Sequence, residues 1–266
     1  MTTSRGECTG DGAWGDSEQS RRQPADGERG GESASDTERY EIDGVAFLGR
    51  TFTEYSRIFD LDPASLAGER VLDCPGGASG FVAGARARGA EAYAVDPVYG
   101  PGVERVAERG RQDVRRAMSA LDDVTDLYVW DVYDGPADVA SHRWAALGRF
   151  LADYTASPGR YLPAALPRLP FPDDSFDLVV SGHLLCLYAG EFDHAFHVQA
   201  LRELCRVARG ELRLFPLVDF GTQRYDGLDD LLLDVERAGH EPSIRSVDFE
   251  FQRGADECLV VDAATD

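Results

Sequence analysis

No lysine occurs anywhere in the 266 residues, so all 27 side chains of the Lys plus Arg count are arginine. That absence removes two kinds of chemistry. A Gly-Lys-Ser/Thr phosphate loop has no lysine to reach the phosphates, and a Tyr-x-x-x-Lys reductase pair has no partner for its tyrosine. Positive charge is scarce overall, since 48 acidic residues leave a formal net charge of −21. Nucleic-acid binding needs a basic footprint, and no arginine-rich patch with interleaved aromatics stands out, so nucleic acid is not an expected partner. The acidity is a statement about solvent: hydrated, mutually repelling carboxylates keep the chain soluble, and with the missing lysine they suggest a halophile with a GC-rich genome.

Cysteine is also sparse. Cys8, Cys74, Cys186, Cys205 and Cys258 are an odd number with no Cys-x-x-Cys, which reads as reduced cytoplasmic thiols, not a disulfide framework. No apolar run approaches the roughly 18 residues of a membrane span, and the acidic, polar N-terminus does not resemble a signal peptide. A soluble, intracellular protein with no membrane partner is expected. Residues 1–39 hold almost no large apolar side chains, so they cannot offset their ordering entropy by burial and are expected to form a disordered acidic tail. The globular domain is expected over 40–266, and 43% hydrophobic content is ample for its core.

The organising stretch is Val71-Leu-Asp-Cys-Pro-Gly-Gly-Ala-Ser-Gly-Phe81, followed by Val95-Asp96-Pro97. Apolar residues run into an acid, then a glycine-rich turn, then a helix start, which together make half of a nucleotide-binding βαβ unit. A second strand, Glu91–Val95, delivers Asp96 to the carboxyl edge of the sheet, where a carboxylate accepts hydrogen bonds from two ribose hydroxyls. The spacing Gly76, Gly77, Gly80 fails the Gly-x-Gly-x-x-Gly dinucleotide fingerprint. Asp73 at the strand end would repel a pyrophosphate but suits a ligand with an amino group. An adenosine-type ligand follows, and reduction with a nicotinamide cofactor is the weaker enzyme alternative.

At these residues the chain resembles the class I S-adenosylmethionine-dependent methyltransferases, whose first motif places an acid before three alternating glycine-like positions, here Asp73, then Pro75, Gly77 and Ser79. A second resemblance lies in Leu169-Pro-Phe-Pro-Asp-Asp-Ser-Phe-Asp177, like the run before strand four in the small-molecule type of that family. Two of the three first-motif glycines are replaced, and Ala165 stands where the family usually has an acid for the adenine amino group. The resemblance implies an α/β, Rossmann-like three-layer sandwich with a seven-stranded, mostly parallel sheet and an antiparallel last strand. It implies S-adenosylmethionine as cofactor, held by Asp73, Cys74, Pro75, Gly76, Gly77, Ser79, Asp96, Pro97 and Ser181. With the composition, it points to a halophilic archaeon.

The remaining segments carry expectations of their own. Leu48, Phe52, Tyr55 and Phe59 share a stripe that predicts a leading amphipathic helix over 45–59; the resemblance implies that this segment lies over the cofactor mouth, where Arg50 and Tyr55 would touch cofactor or substrate. Trp144, Leu147, Phe150, Leu151 and Tyr154 predict a helical insertion within about 122–160, read as a lid over the acceptor. Asp193 to Arg209 reads as a helix ended by Gly210, and Ser243–Phe251 with Glu257–Val261 as a hairpin. Methyl transfer from a sulfonium runs largely on alignment and desolvation. His183, at the end of strand four, is the candidate catalytic base; with Tyr55 and Tyr99 it would frame a small-molecule acceptor. His183-x-x-Cys186 with His194-x-x-His197 has a spacing a zinc ion could use, but Cys186 lies among apolar residues, and no metal is expected. A non-catalytic adenosine-ligand binder that kept the fold is the rival from a different class.

Overall fold

The computed structural model describes residues 44–263; the segment 1–39 and Cys8 lie outside them. Seven strands form the central layer: β1 (Arg70–Asp73), β2 (Glu91–Val95), β3 (Tyr161–Leu162), β4 (Phe176–Gly182), β5 (Ala208–Phe215), β6 (Glu241–Ser246) and β7 (Glu257–Asp262). Their order is β3-β2-β1-β4-β5-β7-β6. β1 to β5 pair in parallel, and β7 runs antiparallel to both β5 and β6.

The central strands read as continuous apolar runs because both faces of the sheet are covered. Val71, Ala94, Val180 and Val260 enter a core with α1 (Phe52–Ile58), α2 (Phe81–Arg86), α3 (Val103–Asp122) and α4 (Pro136–Ala156). Leu72, Val95, Val179, Leu212 and Val261 alternate to the opposite core, shared with α5 (His194–Val207) and α6 (Leu228–Arg237). The result is the Rossmann-like sandwich that the motif order implies, with the crevice at the carboxyl ends of β1 and β4, where the strand order reverses. Among the described residues no helix is long and apolar enough to cross a membrane.

Four segments differ from the sequence reading. The leading helix is short: Thr51 caps α1 through a box in which its hydroxyl accepts from Glu54 N while Glu54 bonds the Thr51 amide, so residues 44–51 stay extended. α5 passes directly into β5 at Ala208, and Gly210 lies inside the strand, where a Cβ would collide with Asp177 O. β6 ends at Ser246; residues 247–256 leave the sheet and bury Phe249 and Phe251 against Tyr128, Trp130 and Tyr133. The alternation that reads as strand there is real, but aromatic rings, not a neighbouring strand, receive it.

The insertion is helical, and α4 packs closely against the core. Ala146 and Phe150 are fully buried, and Arg86 of α2 reaches Asp153 at 2.7 Å.

Candidate active site

Above the carboxyl ends of β1, β2 and β3 lies a cavity of about 260 Å³, lined by Cys74, Pro75, Asp96, Pro97, Ala165 and Leu166 among others. Nearly all of the wall is apolar. The exception is Asp96, whose Oδ1 accepts from the Val98 amide (2.8 Å) and Oδ2 from the Gly77 amide (3.1 Å). These two bonds aim the carboxylate and leave each oxygen a free lone pair. Burial pushes the Asp96 carboxyl up to about 6, against the lowering effect of the two amides and Arg109.

Asp73 sits on the neighbouring strand, but it does not line this cavity. Its carboxyl is fully buried, accepting from Ser79 Oγ (2.8 Å) and the Tyr55 hydroxyl (3.3 Å). Burial raises its pKa to about 8, because the two hydroxyls only partly offset desolvation and Asp96 adds repulsion. At pH 7 Asp73 is mostly a neutral acid.

The glycine loop serves a purpose that the motif does not announce. Residues 44–51 lie across it as a strap, with Ala78 N donating to Leu48 O (3.0 Å) and Gly80 N to Arg50 O (2.9 Å). Gly76 N donates to Val95 O, Gly77 N to Asp96, and Ser79 N to Gly76 O, so five consecutive amides are partnered within the protein. A Cβ on Gly77, whose φ is +51°, would collide with Leu48 O, and one on Gly49 with the Ala78 carbonyl. The missing side chains admit a second stretch of backbone. Accordingly Gly76, Gly77 and Ser79, expected as the cradle of the cofactor, do not line the cavity, whereas Cys74, Pro75, Asp96 and Pro97 do. Ser181, also expected at the cofactor, lines neither cavity; it is buried, and its Oγ has no partner among the described residues.

Beyond the strap opens a second cavity of about 110 Å³, and Ala46 lines both. His183 lines it, at φ +57° just past the end of β4. Burial, reinforced by Arg50 and Arg143, drives the His183 pKa well below the ordinary histidine value, so its imidazole stays neutral near pH 7. Tyr55 and Tyr99, expected beside it, are core residues: Tyr55 stacks on Phe81, and the Tyr99 hydroxyl donates to Gly77 O at 2.6 Å.

What the sequence reading missed is the charge at this second cavity. Arg143 of α4 is buried and bonds Glu54 Oε1 at 2.7 Å, with the Tyr133 hydroxyl also donating to Glu54. Burial would raise the Glu54 carboxyl, but Arg143 and the Tyr133 bond hold it down to about 2. Arg50 has no such partner; burial first and Arg143 second lower its pKa to about 10. Thr51-x-x-Glu54 was a legible capping signal, whereas nothing in sequence ties Arg143 to Glu54 across 89 residues.

The His/Cys spacing does not assemble. His197 uses Nδ1 on Asp193 O and Nε2 on Leu185 O, and His194 meets the Tyr225 hydroxyl. Among the described residues no group of three or more His, Cys, Asp or Glu side chains is placed to hold a metal ion.

Comparison with known proteins bears on this arrangement. A family model described as a methyltransferase domain matches residues 116–214, from the middle of α3 to β5. An uncharacterised protein of Methanocaldococcus jannaschii is 27% identical over 218 residues, 82% of this chain and 96% of that protein. Among solved structures, magnesium protoporphyrin IX methyltransferase from Synechocystis PCC 6803 with bound S-adenosylmethionine is 14% identical over 74% of this chain and 71% of that one, with a TM-score of 0.40. A methyltransferase from Aquifex aeolicus is 18% identical over 78% of this chain and 91% of that one, with a TM-score of 0.36. Residues 116–214 are thus similar to a methyltransferase domain. None of these likenesses names its acceptor.

Proposed function

We propose that this protein binds S-adenosylmethionine in the Asp96 cavity and methylates a small molecule held in the second cavity beside His183. One observation carries the assignment: a lone, oriented carboxylate at the end of β2, in an otherwise apolar slot at the switch point of a parallel sheet. That combination fits a nucleoside, with apolar walls for the base and an acceptor for the ribose hydroxyls. Bound there, the cofactor supplies a methyl group on a positively charged sulfur. The chain's part is to align and desolvate. Asp96 fixes the sugar, Cys74, Pro75 and Pro97 with Ala165 and Leu166 shape the slot, and the strap separates the two cavities except at Ala46.

His183, neutral and open to the second cavity, accepts a hydrogen bond or a proton from the acceptor. The cavity's small volume and the chain's net charge of −21 favour a small molecule over a nucleic acid. The partnered glycine loop and the sealed Asp73 favour one second reading, a fold that binds the nucleoside without turnover. Calorimetry with S-adenosylmethionine and S-adenosylhomocysteine tests the donor site. Micromolar binding weakened at least tenfold in Asp96→Ala supports it, and no binding by the intact protein rejects it. Incubating cell extract with methyl-labelled cofactor then separates an enzyme, which labels a product, from a silent binder.

A further inference from the structure

The second cavity is cationic in a protein of net charge −21. Arg50 and Arg143 line it, and among the described residues its wall contains no aspartate or glutamate. The two arginines are not equivalent. Arg143 is neutralised by Glu54 at 2.7 Å and braced by the Tyr133 hydroxyl at 3.1 Å. Arg50 makes no side-chain hydrogen bond or ion pair with any described residue, and its Nε is buried with no partner. Arg50 is half-buried, and a partly desolvated guanidinium with a sealed, unpartnered Nε is costly unless something else completes it.

The rest of the wall says what that something is built on. Leu121, Tyr128, Phe215, Phe220, Phe249 and Phe251 present apolar and aromatic surface. Gln252 Nε2 donates to Asp219 O, and the Tyr188 hydroxyl accepts from Ala46 N at 3.0 Å. Among the described residues Arg50 is the wall's cation without a carboxylate partner, and the neutral His183 and the hydroxyls of Tyr128 and Tyr188 are the further groups that can meet a ligand's polar atoms.

We infer that the acceptor is a compact apolar or aromatic molecule with a single anionic head group, which Arg50 receives through its guanidinium. Identifying this occupant as the acceptor rests on the methyl-transfer reading, whereas the anion site itself does not. A planar guanidinium bonds a carboxylate or phosphate through two parallel N–H groups, which fixes the ligand's orientation and turns its nucleophilic atom toward His183. Pairing Arg50 also removes a charge that disfavours the imidazolium, so binding makes His183 a better base. A protonated amine would meet Arg50 with like charge and be excluded.

The test uses the full chain and four probes: benzoate, phenyl phosphate, benzamide and benzylamine, with affinities read by calorimetry or ligand-observed NMR. The expected result is that benzoate or phenyl phosphate binds at least tenfold more tightly than benzamide and benzylamine, and the tighter of the two identifies the head group. Arg50→Gln should erase that preference and Arg50→Lys keep part of it, with S-adenosylhomocysteine affinity within twofold of the parent. The strap's bond to Gly80 uses the Arg50 backbone, so the substitution leaves it in place. A readout without any variant is protection of Arg50 from phenylglyoxal, followed by peptide mass spectrometry: saturating anion should protect it and benzamide should not. Failure of every probe to bind, equal affinity for anion and amide, or a preference that survives Arg50→Gln overturns the inference. Anion preference without S-adenosylhomocysteine binding would instead overturn the donor assignment and leave the anion site standing.

Discussion

Two aspartates at neighbouring strand ends have opposite electrostatic fates. Asp96 keeps a foothold in the cavity and a pKa of about 6, whereas Asp73 is sealed and raised to about 8. Ribose hydroxyls donate to the ionised form of Asp96, so cofactor affinity should be flat above pH 7. It should fall as pH drops through about 6, approaching tenfold per unit, because each bound cofactor then displaces a proton. Calorimetric titrations from pH 5 to 8 check this, and Asp96→Asn should flatten the profile. Asp73 acts on stability with the opposite sign. Its folded pKa lies above the unfolded value, so its contribution is complete below about pH 4 and lost as pH rises through about 8. Asp73→Asn should therefore gain stability relative to the parent as pH rises from about 5 to 8 and keep that gain above it, measured as denaturation midpoints from pH 5 to 9.

The strap is the element that gives the site its form. Thr51 and Glu54 start α1 late enough to leave residues 44–51 extended, and Asp113 anchors the far end by accepting the Phe47 amide at 2.7 Å. Only a glycine at position 49 lets that chain cross the loop. Gly49→Ala must either lift the strap off the Ala78 and Gly80 amides or strain it, a cost of about 1–3 kcal/mol by the measure of other overpacked sites. Chemical denaturation gives the number. Because the strap divides the two cavities, cofactor affinity should weaken in the same variant. The loop 247–256 and α4 line the second cavity together with the strap, α3 and the chain after β4 and β5, so this cavity depends on segments far apart in the chain.

For the whole molecule the decisive contrast is between surface and interior charge. Excess surface carboxylates repel one another over a Debye length of about 10 Å at 0.1 M salt, so added salt should raise the denaturation midpoint. The Glu54–Arg143 pair is buried at both ends and lies beyond that screening. Glu54→Ala leaves Arg143 as an unpaired interior cation, an expected loss of about 3–5 kcal/mol. That loss should be nearly the same at 0.1 M and 2 M KCl while both proteins gain from the salt. A loss that shrinks with salt would place the pair in solvent.

The sequence by itself determined the sheet and the donor edge. Val71–Asp73, Glu91–Val95 and Phe176–Ser181 are apolar runs ended by acids or turns, and burial on both faces forces that reading whatever surrounds them. The same local logic put Asp96 at a strand end and His183 just past another. Tertiary structure alone decided which polar groups stay open. The Asp73 carboxyl and the loop amides are consumed by Tyr55, Ser79 and a strap that the helical stripe disguised, while among the described residues Arg50 has no carboxylate partner and Glu54 pairs with an arginine 89 residues away. Periodicity reports which face of an element is apolar; it carries no record of which distant partner satisfies a buried charge, and the chemistry of this site is settled by those partners.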